Sequence, residues 1–438
     1  MEYQSLEVIA SLKKQISDDK IFAQALVLSL KAAKENAADG KLNADLYDAL
    51  NKLYDNNAWP TTSEDYLKYL KTFAEVIPSE NQVPGYTAWN NNDQQNGYSQ
   101  QVYDRLCQFY WLVDQGPEVG GAKVTLQDYK SKINDFSFAE WLDQYANAWG
   151  SFLDTPASMT PETLKSFEDD VMYNLPDYSD DKPNWTTFNK FFFRQLNSIE
   201  PNLQPMRPVA APDDNTIVCS PADCTFKAIY NIDDQGNVVE PLSNAEGITL
   251  KHTHTIGTVQ QLLNNSPLAE RFYGGTFVHY FLNPFDYHRF HVPVAGKVVD
   301  SQKVHGNVFL NVEITDNQFD APDGAGDGYE FTQARGVIIV DTAGSGAGDV
   351  GLVATIPIGM AQVSSVHMEL QNGAIVHKGD EFGYFAFGGS DIIMVFERPQ
   401  EALRFVKYWD NRQVNATDAQ KQVAPFHFKY GQPSVIFK

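Results

Sequence analysis

Between Gly336 and Gly359 the sequence reads GVIIVDTAGSGAGDVGLVATIPIG, and the fold turns on whether its glycines open a helix or a second strand. Gly346, Gly348 and Gly351 satisfy the pattern GxGxxG directly after the strand-like run GVIIVD. In a dinucleotide-binding fold such glycines open a helix whose first amides face a pyrophosphate. Here they open onto LVATIPIG, a second strand-like run. The stretch therefore reads as a glycine-rich connection between two strands, and nucleotide binding is disfavoured.

The same character extends in both directions. From Asn215 onward NTIVCS, CTFKAIY, GTFVHYFL, GKVVDSQKV, NVFLNVEI, QVSSVHMEL and DIIMVF are rich in β-branched and aromatic residues and bounded by glycine, proline or aspartate. Only THTIGTVQQLLNN inserts a helical pattern. Upstream the period changes. IFAQALVLSLKAAKENAADG ends on a glycine, DYLKYLKTFAEVIP ends before a proline, and FAEWLDQYANAWGSFLD repeats its apolar groups every three or four residues. MTPETLKSFEDDVMYNL starts a helix with Thr160 as N-cap and Pro161 at the first position. NNDQQNGYS and QGPEVGG read as loops, and TTFNKFFFRQL as another helical run beyond the connector LPDYSDDKPNW. The expected fold class is α+β, with a helical domain over residues 1–180 and a mostly antiparallel β domain over 181–438.

A formal charge of −23, from 56 acidic and 33 basic residues, opposes binding to nucleic acid or anionic lipid. MEYQSLEVIA has no basic region or long apolar run, and no stretch reaches the roughly 18 apolar residues of a spanning helix. A cytoplasmic chain without a transmembrane anchor is expected. Cys107, Cys219 and Cys224 form no disulfide framework or CxxC pair and read as buried thiols. Trp111, Trp141 and Trp149 read as core.

Three segments carry candidate chemistry. In FAFGGSDIIMVF, Phe385–Phe396, Gly388, Gly389 and Ser390 interrupt strand-like sequence, where glycine loses backbone freedom without packing in return. FDYHRFHVP places His288 and His291 three apart, a spacing that serves a metal on a helix or two satisfied structural histidines. Asp223 in CSPADC is a turn aspartate, or the orienter of a histidine that acts on a serine. Spacing alone does not show that Asp223, His291 and Ser390 meet. His252, His254, His367 and His377 read as surface or packing residues, and DAPDGAGDGYE as a loop.

FFFRQLNSIEPNLQPMRP, SPAD, FLNPFDYHRFHVPVAGKV, IPIGMAQVSSV, GAIVHKGDEFGYFAFGGS and YGQPSVIF, in this order, make the chain from Phe188 onward resemble the phosphatidylserine decarboxylase family. The helical half is similar to the extra domain of soluble members such as a fungal L-tryptophan decarboxylase. The resemblance implies autocatalytic cleavage between Gly389 and Ser390 into chains of 389 and 49 residues that stay packed together. Ser390 would become a covalent pyruvoyl group, with no metal or pyridoxal phosphate, and take the substrate amine as a Schiff base. His291 would be the base of self-cleavage and Asp223 its orienter. His288 would face the substrate carboxylate or protonate the carbon left by carbon dioxide. A homodimer is also implied. Two departures stand out. Gly388-Gly389-Ser390-Asp391 replaces the family's LGST, which makes Gly388 and Asp391 candidate loop or substrate contacts, and Cys224 replaces the glycine after SPAD. The acidic, anchorless chain favours a soluble, aromatic L-amino acid as substrate. Phosphatidylserine and an uncleaved binding protein are the alternatives.

Overall fold

The computed structural model describes residues 2–79, 83–89, 99–200, 204–205, 207–239, 255–308, 310–321, 328–359, 365–387, 390–406 and 427–438. The chain forms two compact units: residues 1–175, 184–191 and 307–322 make one, and 176–183, 192–306 and 323–438 the other.

The first unit is helical. Its helices are α1 Glu2–Asp18, α2 Lys20–Ala37, α3 Ala44–Leu53, α4 Ser63–Phe73, α5 Ser99–Trp111, α6 Phe138–Leu153 and α7 Pro161–Glu168. α2 buries Phe22, Ala25, Leu26, Ser29, Leu30 and Ala33, the stripe that three- and four-residue spacing produces. The Asp19 carboxylate caps it by accepting from the Ile21 and Phe22 amides, and left-handed Asp39 and Gly40 turn the chain away at its end. Thr160 caps α7 and Pro161 occupies its first position, as expected from the sequence. Trp111, Trp141 and Trp149 are buried, and the three cysteines are buried and free.

Residues 307–322 lie in this helical unit although their sequence sits among strands. Among its described residues NVFLNVEI forms a strand from Glu313, where Glu313–Thr315 pairs with Gln318–Asp320 across Asp316 and Asn317. Both turn residues have positive φ, 51° and 62°, as a two-residue hairpin turn requires. The Val312 amide donates to Asp114, the Ala321 amide to the Tyr103 hydroxyl, and Asn317 Nδ2 to the Gly40 carbonyl. QGPEVGG is likewise a small hairpin, Glu118–Val119 against Ala122–Lys123.

The second unit is built on strands β1 Cys224–Ile232, β2 Asn237–Val239, β3 Thr255–Thr258, β4 Thr276–Leu282, β5 Arg289–His291, β6 Gly296–Val304, β7 Arg335–Asp341, β8 Leu352–Gly359, β9 Val366–Met368, β10 Ile375–Val376, β11 Glu381–Phe385 and β12 Ser390–Phe396. Nine of them form one antiparallel sheet in the order β10-β6-β7-β8-β12-β4-β1-β2-β3, with His427–Phe428 added beside β1; β5, β11 and β9 form a separate three-stranded sheet. β8 and β12 are buried at every residue, which is why LVATIPIG and DIIMVF read as continuous apolar runs. β7 and β8 are antiparallel neighbours, and Gly344, Gly346, Gly348 and Gly351 all take positive φ in their connection. The Thr342 hydroxyl closes that hairpin by donating to the Gly351 carbonyl and accepting from the Val350 amide. The expected insertion supplies β3 and a single helical turn, Val259–Leu262, with a Thr258/Gln261 capping box. TTFNKFFFRQL contributes only the short helix Phe188–Phe192. No helix among the described residues is long and apolar enough to cross a membrane.

Candidate active site

The segment FDYHRFHVP is a strand edge, not a helix face. β5 pairs with β11 in the register Arg289↔Tyr384, Phe290↔Gly383 and His291↔Glu381, with an irregularity between Phe290 and His291. Gly383 permits the close approach, since a Cβ there would lie 1.9 Å from the His367 carbonyl oxygen and 2.4 Å from the Phe290 ring. The Phe385 amide donates to the His288 carbonyl at 2.9 Å, tying His288 to the strand that runs into residues 388 and 389. Among the described residues no group of three or more histidine, cysteine or acidic side chains is placed to hold a metal ion.

The two histidines differ sharply. The Nδ1 atom of His291 lies 2.8 Å from the Gly379 carbonyl, which only accepts, so Nδ1 carries the proton and Nε2 accepts from the Tyr287 hydroxyl at 3.0 Å. The ring also stacks on Tyr430 at 3.8 Å. Burial pushes its pKa down to about 3. His288 is fully buried and stacks on Phe192 at 3.8 Å, but neither ring nitrogen has a hydrogen-bond partner. Burial, reinforced by the charge of Arg194, pushes its pKa down to about 3 as well. Both imidazoles are therefore neutral near pH 7, one with both nitrogens occupied and the other with both open.

Asp223 is buried and accepts two contacts from Arg207 Nη1, at 2.5 and 2.6 Å, and one from the Tyr430 amide at 2.8 Å. Arg207 also reaches Asp177 at 2.6 Å. The group on His291 Nδ1 is thus the Gly379 carbonyl and not the Asp223 carboxylate. Asp223 reaches the imidazole through Tyr430, whose amide it holds and whose ring covers His291.

Ser390 begins β12, opposite Gly359 of β8 and Leu282 of β4. Its hydroxyl is buried without a hydrogen-bond partner, so no hydrogen bond joins it to His288 or His291. Gly388 and Gly389 lie outside the described residues, as do His252, His254 and most of DAPDGAGDGYE. Strand alternation sends the Asp391 side chain to the face opposite Ser390. There its carboxylate is fully buried, accepts from the Tyr329 hydroxyl at 2.5 Å and lies 3.2 Å from His279 Nε2. Asp391, expected as a loop or substrate contact, is a core group instead. His367 stacks on Tyr384, and His377 is exposed beside Asp380.

Sequence reasoning passed over Tyr287, Tyr430, Arg207 and His279. Tyr287 stood inside the quoted motif, and a lone histidine within the apolar run TFVHYFL was itself a signal, because an ionisable group in a buried strand needs a partner. Arg207 and Tyr430 lie inside quoted segments, PMRP and YGQPSVIF, but nothing local assigns them a partner; only the fold brings residues 207, 223 and 430 together.

Residues 188–419, just over half of the chain, match the family model described as phosphatidylserine decarboxylase. The chain is 30% identical over 286 residues to phosphatidylserine decarboxylase proenzyme 2 of Oryza sativa subsp. japonica, covering 63% of this chain and 40% of that one. It is 28% identical over 288 residues to decarboxylase iboD of Amanita muscaria, covering 59% and 76%. It is 29% identical over 258 residues to a phosphatidylserine decarboxylase proenzyme of Clostridium novyi, covering 58% and 75%. The match thus spans less than half of the rice protein and about three quarters of the other two.

Proposed function

The chain belongs to the phosphatidylserine decarboxylase family, and from that premise we propose that it breaks its own backbone between Gly389 and Ser390 and then acts as a carboxy-lyase on a soluble, aromatic L-amino acid. The observation that carries this reading is the Ser390 hydroxyl, buried and unbonded at the head of β12 directly after two glycines. A buried polar atom without a partner is destabilising, and its retention fits a group kept free for reaction.

The residues present suit a pyruvoyl group made from Ser390. Such a group supplies an electron-accepting carbonyl, so neither metal nor pyridoxal phosphate is required. For the break, the Ser390 oxygen attacks the Gly389 carbonyl carbon and its proton needs an acceptor. The Gly389–Ser390 C–N bond then opens to leave an ester and a free amine on Ser390. Loss of the Ser390 α-proton expels the Gly389 carboxylate from the β-carbon, and the dehydroalanine left behind takes up water and releases ammonia to become the pyruvoyl group. His291, neutral with its lone pair on Nε2, is the base that acceptor role calls for, relayed by or released from Tyr287. Gly379 fixes its tautomer, while Arg207, Asp223 and Tyr430 fix the ring's position. Afterwards the 49-residue chain has reason to stay: β12 keeps seven register pairs with β8 and seven with β4, and Pro433–Phe437 pairs with Ile217–Cys219.

For the lyase step His288 has the free nitrogens. It is neutral near pH 7, but an arriving carboxylate favours its protonated form, giving it a proton to pass to the carbon that loses carbon dioxide. Phe192 stacks on His288 and Phe387 packs edge-on to Phe192 at 5.4 Å, an aromatic lining that supports an aromatic substrate. The Amanita relative is named a decarboxylase, which agrees with the reaction class. A second reading, conversion of phosphatidylserine to phosphatidylethanolamine, is favoured by the names of the rice and Clostridium relatives.

The test is a denaturing gel and intact mass of the purified protein, followed by carbon dioxide release from tryptophan, tyrosine, phenylalanine and phosphatidylserine vesicles. Two chains are expected, with Ser390→Ala remaining whole and without turnover. A single wild-type chain bearing an ordinary serine would sink the reading and leave a non-catalytic binding protein. Turnover of lipid alone would select the second reading.

A further inference from the structure

Asp391, His279, Glu330 and Tyr329 form a cluster that the proposed chemistry does not use. Asp391, His279 and Glu330 are fully buried. His279 Nε2 lies 3.2 Å from Asp391 Oδ1, an ion-pair distance without hydrogen-bond geometry, its Nδ1 lies 3.9 Å from Glu330 Oε1, and the Tyr329 hydroxyl donates to Asp391 Oδ2. His279 on β4 stands opposite Ile393 of β12, so it is the diagonal neighbour of Asp391 on one face of the sheet. Along that face Ile393 and Val395 belong to an apolar core with Phe277, Ile339, Ala354 and Ile358. Two carboxyl groups and an imidazole at the end of such a face oppose folding unless they serve a purpose.

Their position suggests the purpose. Ser390 makes the last pair of β12 with both neighbours, and strand ends are where ladders fray. Gly388 and Gly389 precede it, and glycine offers no side chain to hold the backbone from that side. On the downstream side the first side chain able to fix the orientation of the peptide bond before Ser390 is that of Asp391.

We propose that Asp391, hydrogen-bonded by Tyr329 and paired in charge with His279, is a positioning residue for self-cleavage, pinning the head of β12 so that the Ser390 hydroxyl is held in one orientation toward the bond it attacks. This rests on the self-cleavage proposed above. The grip depends on charge. Burial works against the positive form of His279, but the Asp391 and Glu330 carboxylates outweigh it, and Lys227 opposes it more weakly; the net direction is a pKa above the ordinary 6.5. A pKa raised by folding means the ion pair is fully present below 6.5 and is lost as pH rises through the folded value.

The experiment follows full-length precursor on denaturing gels after a pulse of cell-free synthesis, from pH 5.5 to 9, with thermal melts of each variant. Asp391→Asn and His279→Gln are expected to slow cleavage about 10- to 100-fold, the scale of a small misplacement at a reacting centre. Both should also remove the fall in rate that the wild type shows on the alkaline side, and the double variant should be no slower than the slower single one. Ile393→Val, on the same face but outside the grip, should keep the wild-type rate and pH profile. Tyr329→Phe deletes one hydroxyl and carries the test if either polar variant fails to fold. Wild-type rates and profiles in Asp391→Asn, His279→Gln and Tyr329→Phe, or rates that merely track melting temperature with Ile393→Val slowed alike, would overturn the proposal while leaving self-cleavage standing. A wild type that never splits would overturn both.

Discussion

The helical unit and the surroundings of β12 treat buried polar groups in opposite ways. In the helices the indole N–H groups of Trp111, Trp141 and Trp149 donate to the carbonyls of Ala33, Val8 and Val76. Gln108 accepts from the Tyr69 hydroxyl and donates to the Ala58 carbonyl. The Tyr66 hydroxyl, Thr155 Oγ1 and Asp170 Oδ2 are exceptions among the described residues. Around β12 the Ser390 hydroxyl and both His288 nitrogens stand without partners, at equal or greater burial. Most buried polar atoms in the first region hold the fold, whereas the Ser390 hydroxyl and the His288 nitrogens in the second are kept available. That contrast separates scaffold from chemistry more cleanly than residue type does, because both regions are aromatic-rich and buried.

Substitution at His288 is the hardest strain on this contrast. His288→Ala should leave two chains on a denaturing gel yet lower the rate of carbon dioxide release about 10²- to 10⁴-fold, the usual contribution of an acid or base. A precursor that no longer splits would move His288 into the cleavage machinery. Acid stability comes next. His288 and His291 each have a folded pKa of about 3 against an ordinary 6.5, so the unfolded chain binds more protons between those values. Stability should be fully present above pH 6.5 and fall as pH drops toward 3, by about 1.4 kcal/mol per pH unit for each histidine. Urea midpoints at pH 7 and pH 5 would show this, and His288→Gln should remove about half of the slope. The smallest effect belongs to the scaffold. Trp149→Phe strands the Val76 carbonyl and should destabilise by about 1 to 2 kcal/mol in urea melts, with cleavage unchanged.

Much of the architecture was legible because local and tertiary demands agree. Thr160 and Pro161 set a helix start whatever surrounds them, and LVATIPIG after the glycines excluded a nucleotide-binding helix. Disagreements arose where tertiary contacts decide. The spacing of His288 and His291 left a helix-borne metal pair and two structural histidines open, and pairing with β11 makes the segment extended, with an irregularity between Phe290 and His291. Asp391 was legible in part: period-two alternation alone sends it away from Ser390, whereas its partners, 62 residues upstream at Tyr329 and farther at His279, were not. The pairing of Asp223 with Arg207 likewise depends on two loops meeting, which no local pattern encodes.

The hairpin at Asn307–Pro322 bears on ancestry as well as on folding. Its amides and carbonyls answer Asp114, Tyr103 and Gln127, residues encoded some two hundred codons earlier. A recombination event that exchanged the helical half wholesale would therefore deliver a mismatched loop to the middle of the other half. The helical unit and this loop have to be inherited together, so a lineage that acquired one acquired, or had to evolve, the other.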